Sequence, residues 1–402
     1  MFNEYGQLFK DANGIHGTEH AYRVLANVTK LSTLLDIGPV QRQILYNAAL
    51  YHDIGREHNG TDTKHGFKSI KKLEKHNLHL NMPNYEYVKY IIENHCISDR
   101  NGIKAVENYN VDKDTAVYLL KVFKDCDALD RTRTNDLDEK YLRFPESKKL
   151  LLGEIDMFKN FKVVAHMRTP IATIEPIILD SIISAAKAKE ILGEEFYSGK
   201  NVVGTEEQIR TMLDPILDRK YGVYCTSIGI GEHRESVTSW SKRWDDKNDD
   251  IVKFNGKGKE RVDIGAGFYK NYHMPVVIQS YKTITFYVRG DMEEVKRLLE
   301  NYIFYLGKKG SQGFGQVGKW EFEEIEEDWS IWKDGKLMRP IPAEECKGKI
   351  EEMMMKQIPI YARQHPILPP YWRKETELCL VPGGDVDEST SEFYSKQRFR
   401  FL

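Results

Sequence analysis

Cysteine is scarce in this 402-residue chain, with five residues (Cys96, Cys126, Cys225, Cys346 and Cys379) and no CxxC pair. An odd, scattered set argues against a disulfide framework and a thiolate zinc site, and fits a reducing cytoplasm. No run approaches the roughly 18 apolar residues that a membrane helix needs, so no membrane partner is expected. The opening MFNEYGQLFKDANG has no apolar signal core. Charge of either sign is barely in excess, at −2, which leaves nucleic acid open as a partner because a near-neutral chain can carry a local basic groove. What is present is 41% hydrophobic and 30% charged residues. That is enough for real cores, and the length suits two or three domains.

Histidine is unevenly spread. Eight of twelve fall in the first 95 residues: His16, His20, His52, His58, His65, His76, His79 and His95. The same region has helical apolar spacing, as in HAYRVLANVTKLSTLL, where Val24, Leu25, Val28, Leu31 and Leu35 share a face. VQRQILYNAALYHDIG and YEYVKYIIENHC behave alike, and His65 opens a short helix, HGFKSIKKLEK. In DTAVYLLKVFKDCDALD, Asp127 falls on the inward face with Val117, Leu120 and Phe123, where a carboxylate needs a cation or a hydrogen-bond partner. His20, His52, Asp53 and His95 occupy comparable inward positions. Imidazoles with carboxylates suit Mn, Fe, Co, Ni or Zn, with Mg a further candidate cofactor. Two such ions about 3.5–4 Å apart activate water and steady the leaving oxygen of a phosphoester, so no protein nucleophile is needed. His58, His76 and His79 sit in polar stretches and read as solvated.

The order His20 … His52-Asp53 … Asp127, with the words HAYRV, ALYHDIGRE, HGFKS, IIENH and KDCDALD, resembles the HD-domain metal-dependent phosphohydrolase superfamily. The resemblance implies an all-α helical bundle in which His20, His52, Asp53 and Asp127 hold a first ion. His65 and His95 match the extra histidines of two-metal members. Asp53 would serve both ions as a catalytic group, and Arg56, one turn on, is a candidate for a substrate phosphate. His16 reads either as a partner behind a ligand or as an ordinary helix-start residue. Asp125 and Asp130 read as capping or orienting groups.

From about residue 158 the pattern changes. FKVVAHMRTPIATI alternates like a strand, EPIILDSIISAAKAKEIL reads as a helix opened by Pro176, and YGVYCTSIGI and MPVVIQSYKTITFYVRG read as strands. DMEEVKRLLENYIFYLG reads as a helix with Asp291 at its cap, Val295, Leu298, Leu299 and Ile303 on one face and Gly307 at its end. The glycine-rich KKGSQGFGQVG follows it and precedes a strand. A phosphate-binding P-loop runs strand, glycines, helix, so this is not one.

KVVAHMRTPIATIEPIILDSII, SVTSWSKRW, FYKNYHMP, LGKKGSQGFGQVGKWEFE, PPYW and CLVPGG resemble the RAMP proteins of CRISPR systems, most of all the small RAMP subunit of type IV effector complexes. The resemblance implies an α+β ferredoxin-like, RNA-recognition-like fold and a subunit that caps the 5′ end of guide RNA. Candidate RNA contacts are Lys308, Lys309, Gly310, Gly313 and Gly315, with Trp240, Lys242, Arg243 and Lys270. Trp240 and Trp244 are also spaced to share one face of a helix.

The expectation is therefore multidomain: an HD bundle over 1–155, a RAMP-like domain over 158–385 and a polar tail over 386–402. The expected activity is a metal-dependent phosphodiesterase, a nuclease on single-stranded nucleic acid, using one or two divalent ions. Expected partners are guide RNA, single-stranded DNA and other CRISPR-type effector subunits. Two readings stay open beside it: a hydrolase of small nucleotides with a regulatory second domain, and a guide-RNA-binding subunit with a vestigial site. His166, His233, His273 and His365 show no spacing that marks a second nuclease centre. Met353–Met355 read as helix packing, and residues 321–328 as a solvated acidic edge.

Overall fold

Apolar residues three and four apart make the first part of the chain a helical bundle. A computed structural model describes residues 5–134, 137–154, 158–193, 196, 206–251, 262–346, 348, 361–371 and 375–382. Helix α1 (Thr18–Leu34) buries Val24, Leu25, Val28 and Leu31. Helix α2 (Pro39–Tyr51) starts on a proline, whose missing N–H costs nothing in a first turn. Helices α3 (His65–Lys75), α4 (Tyr85–Asn94) and α5 (Asp99–Ala105) follow. Asp112 caps α6 (Lys113–Leu129) by accepting the Thr115 N–H, and α7 (Pro145–Leu152) closes this part. Helices α1, α2, α4 and α6 pack on one another, with α3 against α4. That last approach requires Gly66, where a Cβ would meet the Ile92 carbonyl oxygen at 2.1 Å. It brings the first residue of α3, His65, against the end of α4.

In the second part β1 (Lys159–Met167) turns Phe161, Val163 and Ala165 to the core at every second position. It lies between β5 (Thr283–Gly290) and β6 (Val317–Glu324), antiparallel to both. Outside β5, Leu217, Thr226 and Ile230 bridge to Gly290, Val288 and Thr285. Helices α8 (Leu179–Leu192) and α10 (Met292–Tyr302) pack together, and α9 (Glu206–Leu213) packs on α8 and α1. A second sheet sets β2 (Ile171–Ala172) and β3 (His233–Lys242) on either side of β4 (Tyr272–Tyr281). Pairing of β3 with β4 runs from His233↔Tyr281 to Lys242↔Tyr272, and most of this ribbon is exposed. A third sheet orders β7 (Ile341–Pro342), β9 (Glu377–Val381) and β8 (Tyr361–His365), with β9 central. No described helix is long and apolar enough to cross a membrane.

Three elements differ from expectation, each because tertiary pairing competes with local propensity. The helix expected from Pro176 starts at Leu179, since Ile178 is extended and bridges Ile228. The helix expected to reach Gly307 ends at Tyr302, because Phe304 and Leu306 pair with Val317 and Gly315. YGVYCTSIGI forms a two-residue ladder at Val223–Tyr224 and isolated bridges, where a full strand was expected. Met353–Met355 and the 386–402 tail lie outside the described residues.

Most buried apolar side chains belong to one cluster that runs from Tyr5 to Leu368 and spans both parts, and a smaller one gathers Val223, Cys225, Ile331, Ile341, Cys346 and Leu380. Inside the larger one lies a charged junction. Glu294 of α10 accepts from Arg42 of α2 at 2.7 Å, from Lys187 of α8 at 3.3 Å and from Arg297 at 2.8 Å. Lys187 also donates to Tyr46 at 2.7 Å and to Glu190 at 2.8 Å. Glu294, Lys187 and Arg42 are each no more than 3% exposed. Burial opposes the charge on Glu294, yet Lys187, Arg297 and Arg42 hold its carboxyl well below the usual range. Removing one partner of such a pair strands the others in low dielectric. Glu294→Ala should therefore lower unfolding free energy by about 3–5 kcal/mol, read as a lower urea midpoint; an unchanged midpoint would show that the junction contributes nothing.

Asp291, which caps α10, has its carboxyl pushed up to about 6, chiefly by burial. A raised carboxyl value costs stability as pH climbs from 3.8 to about 6. Asp291→Asn keeps the cap and should stabilise the protein above pH 6, but not at pH 3.5, by on the order of 2–3 kcal/mol. Equal melting shifts at both pH values would refute this.

Candidate metal centre

The ends of three helices and the starts of two others converge on one place. His20 comes from α1, His52 and Asp53 directly follow α2, His65 opens α3, His95 follows α4, and Asp127 lies in the last turn of α6. Ser69 of α3 fixes the turn after α2, donating to the His52 carbonyl at 2.6 Å and accepting the Gly55 N–H at 2.8 Å. Phe123 packs edge-on beneath His52 and His95, at centroid distances of 5.4 and 5.9 Å.

The hydrogen bonds settle which ring nitrogens carry protons. His20 Nδ1 meets Asp130 Oδ2 at 2.7 Å, His52 Nδ1 meets the Ala49 carbonyl at 3.0 Å, and His95 Nδ1 meets the Ile92 carbonyl at 2.7 Å. His65 Nδ1 is bonded to the Asp62 carbonyl. These partners only accept, so every Nδ1 is the donor and every neutral ring turns a bare Nε2 inward. Those nitrogens meet in two nests. His20 and His52 Nε2 are 3.1 Å apart, and His65 and His95 Nε2 are 2.8 Å apart.

Asp53 lies between the nests. Its Oδ2 is 3.6 and 3.7 Å from His20 and His52, while Oδ1 is 3.0 and 3.7 Å from His65 and His95. Asp127 Oδ1 adds to the first nest at 3.3 Å from His20 and 3.8 Å from His52. Asp53 Oδ1 is buried with no hydrogen-bond donor. Lone pairs facing lone pairs repel, and only cations satisfy the set together. The residues present therefore fit divalent ions, and the cluster is able to coordinate them.

The electrostatics agree. Burial lowers His52 to about 4, so it stays neutral at pH 7. Burial also works against a charge on His20, but Asp127 and Asp130 raise it to about 9, a proton standing where a cation would. Burial would raise Asp53, but His52, His16, His65 and His95 hold it well below the usual carboxylate range. Two residues named from the sequence attach to Asp53 Oδ2: His16 Nδ1 at 3.0 Å and Arg56 Nε at 3.1 Å. His16 is thus a partner of a cluster residue. Asp130 orients His20 and is itself bound by Arg23, whereas Asp125 serves the fold, accepting from Arg143 and the Phe144 N–H. Arg23 and Ser69 carried no signal in the sequence, because their roles exist only across helices. The opening lies beside Asp127, His16 and Arg56, whose side chains are 32, 24 and 18% exposed.

The second set of candidates gathers on the β3–β4 ribbon and the glycine loop. Lys309 Nζ sits 3.3 Å from the Trp240 ring centroid, and Trp240 meets Tyr272 edge-on at 5.0 Å. Trp240 is in extended β3, so the helical reading of Trp240 and Trp244 does not hold. Lys242 Nζ lies 4.6 Å from the Phe268 ring centroid, and Lys308, Arg243 and Lys270 are exposed. The glycines act differently from expectation. Gly313 and Gly315 donate their N–H groups to Gly310 and Pro170 carbonyls, so neither offers a free donor to phosphate. Gly315 has φ +74°, and a Cβ there would meet the Leu306 oxygen at 1.9 Å. Gly310 opens the short 3-10 turn that sets Lys309 against Trp240.

Residues 17–132 match the HD domain family, and residues 244–382 match CRISPR type IV associated protein Csf3. The curated proteins contain no match. The chain joins an HD domain to a Csf3-family RAMP segment, an architecture of type IV CRISPR-associated proteins, and its clustered His and Asp residues make the HD part a metal-dependent phosphohydrolase. Asp130→Ala should weaken divalent-ion affinity by about 10–100-fold while leaving stoichiometry intact, because it removes the carboxylate that holds His20 but no residue of the cluster. Calorimetric titration of metal-free protein checks this, and an unchanged dissociation constant would count against the assignment.

Proposed function

We propose that the chain is a nuclease: a metal-dependent phosphodiesterase acting on single-stranded nucleic acid, whose second part holds guide RNA in a cytoplasmic, type IV-like CRISPR complex. The observation that carries the reading is Asp53, whose two oxygens face separate pairs of bare imidazole nitrogens. Divalent ions held there supply activated water and neutralise charge at the scissile phosphate. His20, His52, Asp53 and Asp127 would hold a first ion, and His65 and His95, with Asp53, would hold a second. Asp130 keeps the His20 proton on Nδ1 and so leaves Nε2 free. Arg56, on the open side, is placed to take a phosphate oxygen with the guanidinium nitrogens that Asp53 does not use.

The binding half rests on the contact of Lys309 with Trp240 and on the exposed aromatic and basic residues of the ribbon. Flat rings stack bases and lysines neutralise phosphates without reading sequence. The run β1, α8, the 217–230 edge, β5, α10 and β6, with spatial order β6-β1-β5-edge, supports a ferredoxin-like unit within a 158–385 domain, the HD domain occupying 1–155.

Purified protein loaded with Mn2+ should cleave single-stranded DNA or RNA, and His52→Ala with Asp53→Ala should reduce the rate by at least about 1,000-fold, the scale lost when activated water is removed. Turnover of free nucleotides without polymer cleavage would sink the nuclease reading. Retention of labelled RNA should fall on Trp240→Ala with Lys309→Ala and weaken as salt rises.

A further inference from the structure

Cys96 is the one cysteine of the five that is not fully buried, and it stands directly after His95. Its Sγ and one ring nitrogen each from His65 and His95 lie within 4.8 Å of one another. The sulfur reaches the Thr63 carbonyl at 3.2 Å, in the loop that delivers His65, so it is drawn to the His65 side of the turn. Independent of the cysteine, this same nest holds two bare Nε2 atoms 2.8 Å apart and the unpartnered, buried Oδ1 of Asp53.

We propose that Cys96 gives its thiolate to the ion in the His65–His95 nest, making that nest selective for iron, cobalt, nickel or zinc over magnesium. The proposal rests on reading the cluster as a metal centre. Binding breaks the S–H bond, releases its proton to solvent and forms a sulfur–metal bond with no change of oxidation state. Burial raises the Cys96 thiol above its ordinary value, so the proton leaves only as the ion takes its place. With Asp53, the thiolate brings two negative charges to a divalent ion. A soft sulfur ligand favours borderline metals, whereas magnesium demands oxygen ligands and keeps its waters. The two nests then differ in kind, since the first has imidazole and carboxylate ligands alone.

Titration of the metal-free full-length protein with Co2+ tests this by absorption. Two ions per chain are expected, with a near-ultraviolet thiolate-to-cobalt charge-transfer band that grows with one of them and survives excess Mg2+. Cys96→Ala should lose the band, keep one tight ion and bind the other at least about 100-fold more weakly, beyond the loss of an outer partner. Cys96→His should bind two ions without the band. Two bound ions with no band in the unaltered protein, a band that persists in Cys96→Ala, or a single bound ion would each overturn the proposal while leaving a metal centre standing. No bound ion at all would overturn the metal-centre reading, and this proposal with it.

Discussion

Four imidazole Nε2 atoms, pointed at one another and at two carboxylates, are the constraint on which the N-terminal part depends. Each Nδ1 is committed to a carbonyl or to Asp130, so each neutral ring has only a lone pair to offer inward. An apolar core does not tolerate such a set unless a cation joins it. The helix ends are arranged around this need: Gly66 allows α3 to close on α4, Ser69 pins the turn after α2, and Phe123 floors both nests. Stability of the bundle and chemistry of the site thus share the same atoms.

A second buried charge cluster gives the fusion its mechanical sense. Glu294, Lys187, Arg42 and Glu190 come from helices of both parts and satisfy one another inside a continuous apolar cluster. A buried pair of this kind adds less to net stability than it does to specificity of packing, since desolvation offsets most of the attraction. Here it fixes how α10 and α8 lie on α2. The helix that leads into the metal-binding turn is therefore packed directly against two helices of the second part, α8 and α10, rather than against the ribbon that bears the RNA-binding candidates.

The metal cluster was legible in the sequence because its residues stand at helix ends with inward apolar neighbours, in an order that few other folds share. His20, His52, Asp53, His65, His95 and Asp127 do come together, and the orienting role expected of Asp130 is what its bond to His20 provides. The junction was not legible. Arg42, Lys187 and Glu294 look like surface charges on amphipathic helices, and nothing local says that three helices will bury them together. The glycine loop was read correctly as following a helix and preceding a strand, but its glycines serve turns and close approach, leaving Lys308 and Lys309 to carry its charge.

Residue type and spacing by themselves determined the helical first part, the identity of the metal-binding candidates and the change to strands near residue 158, because periodicity and ligand chemistry are properties of a chain. Which group holds His20, which nest each oxygen of Asp53 faces, and that Cys96 lies near His65 and His95 were decided only by the tertiary structure. Those facts depend on hydrogen bonds between segments as many as 110 residues apart. For His52, His65 and His95 the Nδ1 partner is a carbonyl three residues back, set by the local turn, whereas the carboxylate that holds His20 arrives across the fold and no local pattern in the chain records it.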